Sequence, residues 1–487
     1  MFLGIDIGTS SVKVLLIDKE GKVVGSETNK YSPSFPKPLW SEQDPQVWWE
    51  NTQDAVIRIS KGYENSIESI SLSGQMHGLV TLDANDSVIR PAILWNDGRS
   101  HKECDYLNNT IGRETISSCT GNMALTGFTA PKILWMRENE PANFKKIAKI
   151  MLPKDYIAYQ LTGEFVSDVS DSAGTLYFDV QNRTYSKQML DILQIDQDKL
   201  PKVYESYEVV GSVKSDVCQK LGLKTVPKLV IGGGDNALGA IGTNTINSSD
   251  CSISLGTSGV LFFPTDSFVV DEANALHSFC HANGKNHLTG VILNAASAQE
   301  WWIKNILNSD SYETSLAQIA STPVEDNLFF LPYLTGERTP INDPNAKGVF
   351  YGCSAKHTGA NMGRAVLEGV GFALRDTLEV AKTLGLNPKK ARIFGGGAKN
   401  KMWLSMLANI LDITLQELNI DEGPAYGAAI LAGVGVGAFA SIDEACNEFI
   451  KTTNSIEPNA QEVALYNDKY AKFAKIYPTL KELFKQV

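Results

Sequence analysis

Residues 2–18 read FLGIDIGTSSVKVLLID, and residues 251–263 repeat the same plan as CSISLGTSGVLFF. In both stretches apolar and β-branched residues flank a short turn of glycine, threonine and serine, which predicts two strands joined by a tight turn. Such a turn can present several backbone N–H groups in one concave nest, and a nest of amides suits phosphate oxygens. A plain hairpin turn has the same composition, so either turn taken alone favours that simpler interpretation.

A second pair of segments strengthens the phosphate interpretation. Residues 227–242, PKLVIGGGDNALGAIG, and residues 391–410, ARIFGGGAKNKMWLSMLANI, each predict a strand, three glycines and a helix. The order hairpin, then GGG, occurs twice, which predicts two related α/β halves with a boundary near residue 245. The interval from hairpin to GGG is about 85 residues longer in the first half. Insertions of that size in a shared scaffold are where substrate recognition usually lies.

Composition and charge exclude several classes of protein. The chain has 487 residues, 43% of them hydrophobic, and a formal net charge of −11, which excludes a disordered chain and disfavours a main role in holding nucleic acid. Seven scattered cysteines without a CxxC pair indicate reduced thiols. The N-terminus lacks the features of a signal peptide, and the most apolar stretch, residues 425–440, is too short to span a bilayer. We therefore expect a soluble cytoplasmic protein with neither nucleic acid nor membrane as a partner.

The usual nucleotide-binding loops are absent, since the chain contains no GxxxxGK[ST], no GxGxxG and no HRD-type loop. With its paired turns, the chain resembles the FGGY carbohydrate kinases of the actin, Hsp70 and sugar-kinase superfold. Residues 127–139, GFTAPKILWMREN, fit the first signature of that family, and residues 348–368 fit most of the second, with Cys353 where an aliphatic residue is preferred. The resemblance implies a two-domain, ribonuclease H-like (actin-like ATPase) α/β fold. Its domains would be residues 1–245 and 246–487, with a cleft between them.

The resemblance also implies a nucleotide site in that cleft. ATP and Mg²⁺ would bind there, with the phosphates on the two Gly-Thr-Ser turns and the adenosine at the second GGG segment. The nucleotide-binding residues implied are Gly8, Thr9, Ser10, Lys13, Gly256, Thr257, Ser258, Gly396, Gly397, Ala398 and Asn400. Asp6, just before the first turn, would hold the metal.

Two segments point to the sugar. Residues 73–78, SGQMHG, and residues 91–99, PAILWNDGR, are similar to the sugar-site segments of family members that act on xylulose. The implied reaction is the ATP-dependent phosphorylation of D-xylulose to D-xylulose 5-phosphate. The implied sugar-binding residues are Gln75, Met76, His77, Trp95, Asp235 and Asn236.

Asp235 carries the chemistry in this interpretation. It lies in residues 234–237, GDNA, which resemble the family's catalytic loop, and the resemblance implies that it is the general base that takes the proton of the sugar hydroxyl. From the residue alone, a carboxylate at the start of a helix is more often an N-cap. His77 alone would likewise be a turn or core histidine more often than a ligand.

Two alternatives stay open. One is a kinase of the same family for another sugar or polyol, such as ribulose, gluconate or glycerol. The other is an ATP-driven conformational protein without a sugar acceptor, which the longer first half and the sugar-site segments disfavour. A homodimer is expected only because similar kinases form one.

His277, Cys280 and His281 resemble a metal cluster, but their surroundings predict a β-hairpin turning at residues 283–284, with Cys280 on the opposite face from the two histidines. Trp301 and Trp302 are expected near the start of a helix, either in the core or beside the nucleotide.

Three further segments have structural predictions only. Residues 332–340 predict a loop near the cleft with no assigned role, and residues 425–433 predict a buried helix of small residues. The chain from about residue 441 predicts closing helices.

Overall fold

Two mixed β-sheets, one in each half of the chain, organise the molecule. The structure is a computed structural model that describes residues 1–486. The strands of the first half are β1 (Phe2–Ile7), β2 (Ser11–Ile17), β3 (Val23–Lys30), β4 (Glu42–Gln43), β5 (Ser69–Gly74), β6 (Val80–Leu82), β7 (Ala92–Ile93), β8 (Lys149–Met151), β9 (Val166–Asp168), β10 (Phe178–Asp179), β11 (Thr184–Tyr185), β12 (Lys202–Tyr204), β13 (Val209–Ser212) and β14 (Lys228–Gly234). Its helices are α1 (Pro45–Ile59), α2 (His101–Asp105), α3 (Arg113–Thr120), α4 (Thr129–Asn139), α5 (Pro141–Phe144), α6 (Pro153–Thr162), α7 (Val169–Ser172), α8 (Lys187–Leu193), α9 (Ser215–Leu221) and α10 (Asp235–Gly242).

The second half continues the same mixture of strands and helices. Its strands are β15 (Ser252–Leu255), β16 (Gly259–Thr265), β17 (His277–Cys280), β18 (Asn286–Ile292), β19 (Phe329–Leu331), β20 (Val349–Tyr351), β21 (Lys390–Phe394), β22 (Thr414–Leu418) and β23 (Thr452–Ile456). Its helices are α11 (Ala296–Trp301), α12 (Tyr312–Ala320), α13 (Gly359–Thr383), α14 (Lys401–Leu411), α15 (Gly423–Gly435), α16 (Ile442–Phe449), α17 (Ala460–Phe473) and α18 (Ile476–Phe484). Wide π-helical turns occupy Tyr106–Gly112 and Trp302–Ile306, and short 3-10 turns occupy Ala173–Thr175, Gln197–Lys199 and Gly396–Lys399.

The two large sheets share one topology. The first has the strand order β13-β14-β5-β1-β2-β3, and the second has the order β17-β18-β16-β15-β21-β22-β23. In the first sheet β1 is antiparallel to β2 and parallel to β5, and β5 is parallel to β14. In the second sheet β15 is antiparallel to β16 and parallel to β21, and β21 is parallel to β22. The predicted pair of related α/β halves is therefore confirmed.

The GGG segments, in contrast, do not occupy equivalent positions in the two halves, so the prediction that they correspond was wrong. Residues 232–234 end β14, the outer parallel strand, whereas residue 395 follows β21, which lies beside the central hairpin. The counterpart of β21 in the first sheet is β5, so the equivalent turn begins at residue 74. The additional residues of the first half thus lie between β5 and β14, and they form small sheets and a separate apolar core.

Helix α15 joins the halves. Its small residues pack on β1 and α10 of the first half, and with α16 they form a shared core there. A Cβ on Gly427 would overlap the backbone of Leu238, so the close approach needs glycine. The predicted buried helix of small residues is confirmed, but it covers the first sheet although it belongs to the second half of the sequence. No helix among residues 1–486 is both long and apolar enough to cross a membrane.

The remaining structural predictions are mostly confirmed. Helices α16, α17 and α18 close the chain, with the strand β23 added to the edge of the second sheet, which was not predicted. Strands β17 and β18 form the expected hairpin. Trp301 is the last residue of α11, and Trp302 is the first residue of the π-helical turn that follows it. The ring of Trp301 stacks on Phe330, and the ring of Trp302 packs against Phe350 in the core.

Candidate active site

A cavity of about 180 Å³ lies between the two halves. From the first half it is lined by Met76, His77, Trp95, Leu125, Gly127, Phe128, Asp235 and Asn236, and from the second half by Ser258, Val260, His277, Phe279, Thr289, Val291 and Arg338. A concave, mainly apolar pocket with a few polar groups is typical of a small-molecule site. We refer to it as the acceptor cavity.

Asp235 starts α10 at the carboxyl end of β14, and its side chain is partly exposed to the acceptor cavity. Its Oδ1 accepts a hydrogen bond from the Asn236 amide at 2.8 Å, so it also serves the helix start. Burial, and then the charge of Asp6, raise the pKa of Asp235 to about 7. A carboxyl group that exchanges its proton near neutral pH is suited to general base chemistry.

Asp6 is the second carboxylate of this region and lies near the end of β1. Its Oδ1 accepts a hydrogen bond from Ser73 Oγ at 2.8 Å. Burial raises its pKa, while the hydrogen bond from Ser73 and the charge of Lys13 oppose that rise. For these two neighbouring carboxylates burial outweighs the stabilising contacts, so both pKa values stay raised, and a bound cation would favour their ionised forms. Residues 1–486 contain no group of three or more His, Cys, Asp or Glu side chains that could hold a metal ion. One or two carboxylates fit Mg²⁺, which usually keeps water and substrate oxygens as its other ligands.

The first Gly-Thr-Ser turn is held by its carbonyl oxygens. The Gly8 carbonyl accepts from Tyr31 Oη at 2.7 Å, and the Thr9 carbonyl accepts from Gln43 Nε2 at 2.7 Å. The Ser10 carbonyl accepts from the Tyr31 amide. The Gly8 amide donates to the Ser11 carbonyl at 2.9 Å, whereas the amides of Thr9 and Ser10 have no partner among residues 1–486 and are available to an anion.

The second turn has the same character. The carbonyls of Gly256 and Thr257 accept hydrogen bonds from backbone amides at the start of α11, and Ser297 Oγ donates to the Thr257 carbonyl at 2.7 Å. Ser258 lines the acceptor cavity together with Asp235. The second turn therefore meets the candidate base at one cavity.

The predicted adenosine residues lie at a second, larger cavity of about 600 Å³, lined by Gly396, Gly397 and Asn400 together with residues of α11 and α12. Asn400 caps α14 through its Oδ1, and its Nδ2 is buried without a partner among residues 1–486. Ala398 lies behind this surface, beside the 393–395 segment.

His77 is held in one orientation. Its backbone has a φ of 69°, and its Nδ1 lies 2.5 Å from the Gly174 carbonyl, to which it donates. Burial lowers the pKa of His77 to about 3, so the ring is neutral and its Nε2 is an acceptor. Buried Lys132 of the 127–139 signature donates to the His77 carbonyl at 2.8 Å and fixes this turn.

Two predicted residues have other contacts than expected. Gln75 is buried under the first turn, where its Oε1 accepts from Thr9 Oγ1 at 3.1 Å, and it does not line the acceptor cavity. Gln75 is the first residue after β5, and the turn that begins there directs its neighbour Met76, but not Gln75, to the cavity. Lys13 forms an ion pair with Glu422, just before α15. Trp95 does line the cavity, and its Nε1 donates to Thr9 Oγ1 at 2.9 Å.

Sequence reasoning missed several residues of the acceptor cavity. Phe128, Phe279 and Arg338 were not considered as ligands, and His277 was weighed only as part of a metal cluster. They come from segments far apart in the chain, so no local spacing connects them. The charged residues of the unassigned 332–340 loop were the one feature of the sequence that could have pointed to Arg338.

Comparisons with known proteins identify the family and support the two-half α/β fold. The model for the N-terminal domain of the FGGY family of carbohydrate kinases matches residues 1–242, and the model for its C-terminal domain matches residues 251–436. A xylulose kinase of Escherichia coli (strain K12) is 42% identical, with 99% of each chain covered. Among solved structures, a xyloylose kinase from Brucella ovis matches with a TM-score of 0.94 at 37% identity, and a gluconate kinase from Lactobacillus acidophilus with a TM-score of 0.96 at 28% identity. In each of these two comparisons the match covers 99% of this chain and 99% of the chain in the solved structure.

Proposed function

Because the chain belongs to the FGGY family of carbohydrate kinases, we propose that it transfers the γ-phosphoryl group of ATP to D-xylulose, giving D-xylulose 5-phosphate and ADP. The observation that carries the proposal is the acceptor cavity, where Asp235 of one half and Ser258 of the phosphate turn of the other half meet. The choice of xylulose is supported by full-length relatives with that activity in their names.

Asp235 acts as the general base in this proposal. It accepts the proton of the attacking hydroxyl and orients the oxygen toward the phosphorus, since phosphoryl transfer depends mainly on positioning and charge stabilisation. With a pKa of about 7, a large part of Asp235 is ionised at neutral pH. Asn236 and the neutral His77 hold other hydroxyl groups, and the aromatic rings of Trp95 and Phe128 face the carbon chain.

Mg²⁺ is proposed to bind at Asp6, with Asp235 nearby. When bound, the ion neutralises charge on the phosphate oxygens. Asp6 keeps its position through Ser73. The nucleotide phosphates are proposed to lie on residues 8–10 and 256–258, and the adenosine at Gly396, Gly397 and Asn400, where the larger cavity opens.

The domain division is likewise a proposal, with residues 1–245 and 246–487 as the two units and α15 as the connection between them. Both units line the acceptor cavity, so closing them around the sugar would exclude water as a competing acceptor. A cytoplasmic location is supported by seven free cysteines, five of them buried.

The direct test of the base is Asp235→Ala. We expect sugar-dependent ADP release to fall by a factor of about 100 or more, because the proton has no acceptor, while ATP binding is retained. Coupled ADP assays and nucleotide titrations measure the two quantities. The exposed Asp216→Ala serves as the matched control. If the Asp235 variant keeps more than about a tenth of wild-type turnover, the assignment is wrong.

A kinase of the same family for another sugar or polyol is the remaining candidate, since one solved neighbour is a gluconate kinase. Measuring kcat/KM for a panel of sugar and polyol acceptors distinguishes this candidate from a xylulose kinase.

A further inference from the structure

Arg338 brings an unpaired positive charge into the acceptor cavity. It belongs to the 332–340 loop of the second half, and the cavity that it lines also contains Asp235 and Asn236. Among residues 1–486, its guanidinium forms no ion pair and no hydrogen bond. A partly buried cation without a partner is unfavourable, so its position calls for a ligand that supplies oxygen atoms.

The loop holds Arg338 firmly in place. Thr339 pairs with β18 through the bond from its amide to the Val291 carbonyl and through its Oγ1, which accepts from the Val291 amide at 2.9 Å. Glu337 Oε1 accepts from the amides of Leu293 and of Arg338 itself, each at 2.8 Å. The neighbouring carboxylate is therefore used by the backbone, and the guanidinium remains available.

Arg338 lies beside the 127–128 segment of the cavity, because its Nη2 is 3.9 Å from the point that a Cβ on Gly127 would occupy. The ring of the next residue, Phe128, packs edge-on against the imidazoles of His77 and His277. Burial, and to a smaller extent the charge of Arg338, lowers the pKa values of both imidazoles. The cavity thus contains the carboxylate of Asp235 and a guanidinium that is not bonded to it.

The chemistry of a ketopentose matches this arrangement. Closing the furanose ring of a 2-ketopentose uses its O5, so only the open-chain form offers a free O5 hydroxyl to a base. In that form the C2 carbonyl oxygen and O1 lie at the opposite end of the molecule. Both oxygens can accept hydrogen bonds from a guanidinium, which carries five donors.

We propose that Arg338 binds the C1–C2 end of the open-chain ketose and selects a ketose over the corresponding polyol. The inference rests on the proposed function and assigns a specificity-determining residue to it. Because Arg338 belongs to the second half while His77 and Asn236 belong to the first, the sugar bridges the two halves.

The test compares wild type with Arg338→Met, which keeps the length of the side chain and removes the charge. With D-xylulose we expect kcat/KM to fall by about 10- to 100-fold, the loss expected for one charge-assisted hydrogen bond, with the KM for ATP unchanged. Xylitol, which lacks the carbonyl, is measured as an acceptor or as a competitive inhibitor. The preference for xylulose over xylitol should shrink by a similar factor. Arg338→Lys should recover part of it, and millimolar guanidinium should partly restore Arg338→Ala.

The control is Arg392→Met, which breaks an ion pair with Asp250 outside the cavity and should leave the preference unchanged. If Arg338→Met retains the wild-type preference for the ketose, whatever its stability, Arg338 has only a structural role and the inference is overturned. If wild-type protein phosphorylates no ketopentose, the proposed function fails instead, so the two failures are distinct.

Discussion

Asp235 lies where burial and a neighbouring carboxylate both favour its protonated form. The apolar surroundings make the larger contribution and Asp6 the smaller one. A base of this kind is a proton acceptor only above its pKa, so its activity depends on pH in a range where an exposed aspartate is fully ionised.

The first prediction at this scale concerns pH. Between about pH 5 and pH 8, kcat/KM for the sugar should rise and level off, with a midpoint near the Asp235 pKa of about 7. The sign follows from the raised pKa, since below it most of the base carries a proton. Steady-state rates at saturating ATP measure the profile, and thermal unfolding at each pH controls for stability. A profile that is flat over this range would contradict the assignment.

At the scale of elements, a buried network holds the loop that carries the base. Ser170 Oγ donates to Asp168 Oδ2 at 2.6 Å and accepts from the Gly234 amide at 3.2 Å, one residue before Asp235. Asp168 is paired with Lys154 at 2.8 Å, and all these side chains are fully buried. The chain of contacts fixes the end of β14, so the position of the carboxylate depends on residues that never touch substrate.

Ser170→Ala should therefore lower kcat by roughly tenfold, because the Gly234 amide loses its partner and the loop loses its orientation. Ser206→Ala is the matched control. Ser206 Oγ donates to the same Asp168 Oδ2, at 2.7 Å, and lies 3.4 Å from Ser170 Oγ, but it makes no hydrogen bond to the Gly234 amide. In both variants the free energy of unfolding, measured in urea, should fall by about 1–2 kcal/mol. Only Ser170→Ala should also have a lower kcat. Equal kcat values in the two variants would show that the link to Gly234 has no catalytic effect.

Another prediction concerns the packing of α15 on α10. Gly427→Ala places a methyl group against the Leu238 backbone, so the helices must separate, and we expect a loss of about 2–4 kcal/mol. In Gly239→Ala, in the same interface, the added methyl group meets only Pro424, with Cγ at 3.6 Å and Cδ at 4.0 Å, so the change should be neutral or stabilising by up to about 1 kcal/mol. Denaturant unfolding measures both variants. Equal effects would contradict the close approach.

The local sequence was sufficient to predict features that lie within a single segment of the chain. The two hairpins and the small-residue helix were predicted from residues next to one another. The pairs Met76–His77 and Asp235–Asn236 were instead implied by the resemblance to the family, and the structure brings them to one cavity. Gln75 shows the limit, because the direction of its side chain depends on where β5 ends.

The longer-range features could not be predicted in the same way. Both GGG segments lie at the end of a strand, but the two strands occupy different positions in their sheets. Arg338 and Phe279 reach the acceptor cavity only through the assembly of the second half. Such placement depends on packing between distant segments, which spacing along the chain does not encode.

At the scale of the whole molecule, the two halves contribute different parts of one site. The first half supplies Asp235 and the sugar-side residues, and the second supplies a phosphate turn and Arg338. Helix α15 crosses to the first sheet and connects the halves on the side of α10. A site divided in this way forms only when the two halves are correctly positioned relative to each other, so domain closure is part of the proposed reaction. Homodimerisation stays a prediction.

The central claim is that this site phosphorylates D-xylulose, and an acceptor panel tests it most directly. D-Xylulose, D-ribulose, gluconate and glycerol are each supplied with ATP and Mg²⁺, ADP release is followed, and the product is identified by phosphorus NMR. The predicted result is the highest kcat/KM for D-xylulose, with phosphate at O5. A higher kcat/KM for another acceptor, or ADP release unaffected by every sugar, would contradict it.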